Sequence, residues 1–312
     1  MGAAGADRTA YVRAEAVTMD VLLPRTLEEA LEMKAGRLEA MPIAGGTDVM
    51  VGVNFGHLRP AAMIDVSRLT ELQTLERVDG RQFLGAGVTY ARIARELRDL
   101  GPLIQASRSV GSPQIRQRGT VGGNLGTASP AGDALPVLAA YDAEIEVASA
   151  ARGARRLAWH EFLVGPKRTA LQPDELIIGA HWYVHRGPGS FSKVGTRNAM
   201  VIAVVGLCFV MDEDRRLVQV ALGSVGPTIL RAPEAEKFAA QALARAGVWD
   251  EPAARLPDAV LAEFGQRVAA AAHPIDDIRG TASYRRHACE VLARRSLAWA
   301  LDDRRQPQTG AA

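Results

Sequence analysis

The 312-residue sequence predicts an α+β chain of two or three compact units, and three observations lead there. The amino-terminal part carries a capped helix followed by short apolar strands and a glycine turn. The middle carries a cleanly alternating strand, Ala143-Glu144-Ile145-Glu146-Val147, between helical segments. Beyond Phe191 strands come first and helices last, so the two are segregated rather than interleaved.

The elements follow in order. Thr26 stands as N-cap with Glu29 three residues on, a capping box, and Leu27, Ala30, Leu31 and Met33 supply an apolar face as far as Gly36. Met41-Pro42-Ile43-Ala44 is a short apolar strand running into Gly45-Gly46, and Ala62-Met63-Ile64-Asp65-Val66 is another. A second unit begins near Leu72, with strands Leu75 to Val78 and Gln82 to Gly85. Thr89 then opens a helix that Gly101-Pro102 stops, with Arg92, Arg95 and Arg98 on a solvated face. Ala134 to Ala140 forms a short helix behind Asp133, and Glu175 to Tyr183 a strand. In the third unit Phe191 to Val194, Val201 to Met211 and Leu217 to Leu222 are strands, the second so apolar that both its faces are buried. Three helices follow, Glu234 to Gly247, Asp258 to Ala272 and Ser283 to Leu301, broken by Pro252, Pro257 and Pro274.

Composition excludes several function classes. Basic and acidic residues are nearly balanced, 37 against 35, which argues against a nucleic-acid surface. No apolar run reaches the roughly 20 residues that span a bilayer, and Met1 to Thr9 lacks a signal-peptide core, so a cytoplasmic protein is expected. The two cysteines, Cys208 and Cys289, cannot carry an iron–sulfur cluster, and two buried thiols are the simpler reading. His181 and His185 are four apart on a strand pattern without the glutamate of a zinc-protease motif, so no metal site is expected. Gly85-Ala86-Gly87 is not a dinucleotide fingerprint, no phosphate loop of the GxxxxGK type occurs, and Ser129 has no nucleophile elbow.

Two glycine-rich stretches remain, Ala44-Gly45-Gly46-Thr47-Asp48 and Thr120-Val121-Gly122-Gly123-Asn124, the second continuing through Thr127-Ala128-Ser129-Pro130-Ala131-Gly132-Asp133. Paired glycines let a ligand approach main-chain N–H groups, and positive φ lets successive amides converge on an anion. Each could equally be a tight turn, and Asp133 could simply cap the helix that follows it.

These stretches, with Pro113-Gln114-Ile115-Arg116, Gly165-Pro166-Lys167, Asp174-Glu175-Leu176 and Tyr284-Arg285-Arg286, resemble the FAD-binding medium subunit of the molybdenum hydroxylases, the family of xanthine dehydrogenase and carbon monoxide dehydrogenase. The likeness runs in one order from about Ala16 to Leu301. It implies a vanillyl-alcohol-oxidase-type fold: an α/β FAD-binding subdomain over 16–70, an α+β subdomain over 71–187, and a C-terminal domain of antiparallel sheet and three-helix bundle over 188–303. A disordered lead-in, 1–15, and a frayed tail, 304–312, flank them. By resemblance, Pro42, Ile43, Ala44, Gly45, Gly46, Thr47, Asp48 and Val49, together with Thr120, Val121, Gly122, Gly123 and Asn124, cradle the FAD pyrophosphate through backbone amides. Asp133 binds on the adenosine side, and Thr127 and Ser129 add hydroxyl contacts. Val110 and Ile177 pack on the cofactor, with plain core packing as the alternative. Lys193 approaches the polar edge of the flavin and favours its reduced anion, with a solvated strand charge as the alternative.

The same resemblance implies two partners, a small [2Fe-2S] subunit and a large molybdopterin subunit, in a dimer of heterotrimers. The large partner oxidises the substrate, the small one relays electrons through two clusters, and FAD here passes them to NAD or another acceptor. A xanthine dehydrogenase-like oxidoreductase is the leading reading. A carbon monoxide dehydrogenase-type or other heterocycle dehydrogenase subunit, a stand-alone flavin oxidase, and a flavin-free assembly factor are the alternatives. Two departures leave the acceptor open: Arg197-Asn198-Ala199-Met200-Val201 lacks the acid many relatives have, and Val110 stands where relatives that use NAD often have an aromatic ring.

Overall fold

The computed structural model describes residues 19–305. The expected lead-in, and all of the expected tail after Arg305, lie outside the described residues. The amino-terminal unit is a three-stranded parallel sheet in the order Asp20–Leu22, Ala62–Asp65, Met41–Ile43. Its helix, Leu27–Gly36, starts as the sequence dictates: the Thr26 hydroxyl accepts the Glu29 N–H at 3.1 Å. The Glu29 carboxylate turns back one residue further than a standard capping box, accepting the Arg25 N–H at 2.6 Å.

The second unit is a five-stranded antiparallel sheet, ordered Leu75–Val78, Arg81–Gly85, Leu176–Tyr183, Glu144–Ser149, Gly153–Ala158. Asp79 and Gly80, both at positive φ (49° and 74°), make the tight turn of its first hairpin. One face packs on a core that includes Leu103, Val121, Leu125, Leu135, Ile145 and Trp182. The helix expected from Thr89 to Gly101 is two helices instead. Tyr90–Glu96 ends where Leu97 turns extended, and Gly101–Ser109 begins at the very Gly-Pro pair expected to stop it. Proline lacks an N–H that the first turn of a helix does not use, so it starts a helix as readily as it ends one.

The third unit is a four-stranded antiparallel sheet, Gly189–Val194, Val205–Asp212, Leu217–Gly223, Leu230–Arg231. Its strand Val205–Asp212 begins four residues later than expected, because residues 196–202 form a largely exposed turn in which the Arg197 guanidinium donates to the carbonyls of Ala199 and Met200. Every residue of that strand is buried. Cys208 and Val210 join the core of the second unit, whereas Leu207, Phe209 and Met211 join a separate core under the helices Pro233–Arg245, Asp258–Ala270 and Ala282–Arg305. Both cysteines are buried and free, and burial pushes the Cys289 thiol up to about 12.

Two arginines of the last helix tie it down. Arg285 is buried, donates to the carbonyls of Val204 (2.9 Å) and Ser224 (2.7 Å), and pairs with Asp277 at 2.6 Å. Arg304 pairs with Glu213 at 2.6 Å, so the helix runs on through the first two residues expected to fray. No helix among the described residues is long and apolar enough to cross a membrane.

The helical core should depend on Phe264, which is fully buried and meets Phe209 edge-on at 6.1 Å between ring centroids. Phe264→Ala is expected to lose about 3–5 kcal/mol in chemical denaturation, a cost set by the cavity left between sheet and helices.

Candidate functional site

The two glycine stretches meet. The first is the turn between strand Met41–Ile43 and helix Val49–Asn54, and the second runs along helix Val121–Thr127. A Cβ on Gly45 would stand 1.8 Å from the Arg118 carbonyl oxygen, and one on Gly122 would stand 2.5 Å from both Cβ and O of Ala86. These are main-chain neighbours that cannot swing aside, so only glycine permits the approach. Gly46 adds a positive φ of 72°. Between the stretches the Thr127 hydroxyl donates to Asp48 Oδ2 at 3.3 Å.

The two stretches differ in what they offer a ligand. The amides of Gly45, Gly46, Thr47 and Asp48 have no hydrogen-bond acceptor among the described residues, and the first bond of the following helix runs from the Met50 N–H to the Gly46 carbonyl at 3.0 Å. The second stretch is already engaged. Val121 N–H donates to Val88, Gly122 to Ala86 at 3.0 Å, Gly123 to the Thr120 hydroxyl at 2.9 Å, and Asn124 to the Thr120 carbonyl. The expected row of amides facing a pyrophosphate is therefore narrower in the second stretch: Val121 to Asn124 donate to Val88, Ala86 and Thr120, and only the Thr120 N–H of that stretch lacks an acceptor among the described residues. What the second stretch leaves free is Asn124 Oδ1, buried with no partner, against which Gly132 packs so closely that a Cβ there would lie 2.5 Å from the Asn124 amide nitrogen.

A second locus is charged. Asp133 precedes helix Ala134–Ala140 yet makes no capping bond. Its Oδ2 instead accepts from Lys193 Nζ at 2.6 Å and from the Ser109 hydroxyl at 3.1 Å, while Lys193 also donates to the Ser109 carbonyl at 3.2 Å. The side chains are 10% (Lys193) and 7% (Asp133) exposed, so neither the simple cap nor the solvated strand charge describes them. Burial pushes the Asp133 carboxyl above its ordinary range, and Lys193 and then Ser109 offset that only in part. At 2.6 Å Asp133 and Lys193 form one charged locus, although the resemblance assigns them to the adenosine side and the flavin edge separately. Val110 adjoins Ser109, and Val110 and Ile177 are both half-buried against the same core. Ser129 is turned inward on its own loop, its hydroxyl accepting the Ala131 N–H at 3.3 Å.

Arg95 is 65% exposed, as the solvated face expected from helical spacing requires, and Arg98 is exposed too. Arg92 is half-buried, and with Arg95 it borders a cavity of about 260 Å³ that opens onto Ala44, Gly45 and Thr120. The arrangement as a whole fits FAD: free amides and arginines for phosphate oxygens, and Asn124 Oδ1 with the Asp133 carboxylate for ribityl or ribose hydroxyls.

Comparison with known proteins agrees. Residues 16–181 match the FAD binding domain in molybdopterin dehydrogenase, and residues 190–300 the CO dehydrogenase flavoprotein C-terminal domain. The xanthine dehydrogenase FAD-binding subunit of Escherichia coli is 30% identical over 228 residues, 70% of this chain and 77% of that protein. Caffeine dehydrogenase subunit beta of a Pseudomonas species is 32% identical over 227 residues, 70% of this chain and 77% of its own. In the solved quinoline 2-oxidoreductase of Pseudomonas putida, one chain superposes with a TM-score of 0.80 at 21% identity, covering 93% of this chain and 99% of that one.

Two outcomes follow for the site. Gly45→Ala and Gly122→Ala should purify with strongly substoichiometric FAD, measured as flavin released per chain, whereas Gly36→Ala, whose added methyl meets nothing within 4 Å, should retain it. Lys193→Met should cost the flavin-free chain about 3–5 kcal/mol by leaving a buried carboxylate unpaired. Because the folded Asp133 then holds its proton to higher pH than the unfolded chain does, that deficit should widen as pH rises above about 4 and largely vanish in Asp133→Asn/Lys193→Met.

Proposed function

The chain belongs to the FAD-binding subunits of the molybdopterin dehydrogenases, and from that premise we propose that it is the electron-exit subunit of a three-component molybdenum hydroxylase of the xanthine dehydrogenase type. In this reading a large molybdopterin subunit oxidises the substrate and a small [2Fe-2S] subunit delivers the electrons. This chain hands them to NAD or another soluble acceptor. The observation that supports it is the contact of Gly45 on Arg118, which brings the first and second units together beside unpaired main-chain donors, with Gly122 packed on Ala86 within the second unit.

When bound, FAD would supply the redox chemistry. The chain's residues bind, orient and polarise. The amides of Gly45 to Asp48 hold phosphate oxygens, Asn124 Oδ1 and Asp133 hold hydroxyls, and Val110 and Ile177 give apolar contact. Lys193 places a positive charge at the same locus as Asp133, and an ammonium held there stabilises negative charge arriving nearby. Asp133 fixes that ammonium in place. The largely exposed turn of residues 196–202, which carries no acid, follows closely on Lys193 and leaves access for a partner or an acceptor.

The isolated chain is expected to bind FAD in its oxidised form and to leave it oxidised when a purine is added, whereas the complex with both partners should bleach it. The visible flavin absorbance follows both reactions. Bleaching by purine in the isolated chain would overturn the proposal in favour of a stand-alone flavin oxidase, and a colourless chain that takes up no added FAD would favour an assembly role.

A further inference from the structure

The cavity of about 260 Å³ beside the glycine turn is lined by Ala44, Gly45 and Thr120 on one side and by Arg92, Arg95 and Arg118 on the other, and no carboxylate lines it. Two of the three guanidinium groups are held in place. Arg92 Nε donates to Glu96 Oε2 at 2.7 Å, and its Nη1 donates to the Gln73 carbonyl. Arg95 Nη2 donates to the other oxygen of the same carboxylate at 2.8 Å. One acid thus offsets two cations, and Arg118 has no carboxylate partner among the described residues. Three positive charges against one negative leave the cavity mouth with an excess of about two.

That excess equals the charge of a diphosphate diester. The cavity is below the roughly 300–1,000 Å³ of sites that engulf a whole small-molecule ligand, so it takes one part of a dinucleotide. None of its lining residues belongs to the locus of Ser109, Asp133 and Lys193. The amides of Val121 to Asn124 are consumed within the fold and Thr120 alone of that stretch keeps an N–H without an acceptor among the described residues, so the turn at Gly45 to Asp48 supplies most of the main-chain donors. Resting on the reading that the clamp holds FAD, we propose that Arg92, Arg95 and Arg118 are the counter-charge for the cofactor's diphosphate and its adenosine end, doing the work that a second nest of amides would otherwise do. Arg118 contributes twice in this reading, its carbonyl packing on Gly45 and its guanidinium supplying charge to the cavity it lines. Because the packing uses the main chain, the side chain can be replaced without disturbing the turn.

The test is titration of the flavin-depleted full-length chain with FAD, FMN and riboflavin, followed by flavin fluorescence at several salt concentrations. The unaltered chain should prefer FAD, with an affinity that falls as salt is raised. Arg118→Gln should raise the dissociation constant for FAD about tenfold, flatten the salt dependence, and leave riboflavin binding unchanged. Arg118→Lys should keep most of the salt dependence while losing the forked contact. Unchanged FAD affinity and salt dependence in both Arg118→Gln and Arg95→Gln/Arg118→Gln, with the far-ultraviolet dichroism of the parent, would overturn the inference. An unaltered chain that binds no FAD would instead remove the reading of the clamp on which it rests.

Discussion

The rest of the site depends on one main-chain contact, the approach of the Gly45 α-carbon to the carbonyl of Arg118. A methyl group there would overlap backbone that belongs to another unit and cannot rotate away. The contact therefore fixes how close the parallel sheet and the antiparallel sheet come. The turn so held carries four amides without an acceptor among the described residues. Gly122 packs on Ala86 within the second unit, and the Thr127 hydroxyl donates across to Asp48 at 3.3 Å.

Behind the site, rigidity comes from a strand shared between two cores. Val205–Asp212 sends Cys208 and Val210 toward the second unit and Leu207, Phe209 and Met211 toward the helices. Its neighbour Gly189–Val194, half-buried over most of its length, carries Lys193 and pairs along its whole length with that buried strand. Arg285 closes the other end by engaging the carbonyls of Val204 and Ser224. The charge at the site is thus mounted on a strand anchored to the shared core.

The site's electrostatics divide by burial. Asp133 and Lys193 are sheltered from water and matched one to one, so neither can be removed cheaply. Arg92, Arg95 and Arg118 are partly solvated, mismatched against a single acid, and so retain charge for a ligand. One locus balances its charges within the protein, and the other holds more cations than the one acid beside them offsets.

Much of this was legible in the sequence. Thr26 and Thr89 cap because a hydroxyl before a helical run accepts an early N–H, and Val205–Asp212 lies between two layers because nearly all of it is apolar; such rules act within a few residues of chain. Resemblance carried the cofactor and the family. The sequence by itself thus determined the elements, the glycine turns and the ligand class. Only the tertiary structure decided which stretch keeps its amides free, that Asp133 meets Lys193 instead of capping its helix, and that two arginines of an ordinary amphipathic helix face a cavity. Each of those depends on a neighbour dozens of residues away, and local periodicity records a side chain's direction from its own helix or strand but not what waits there.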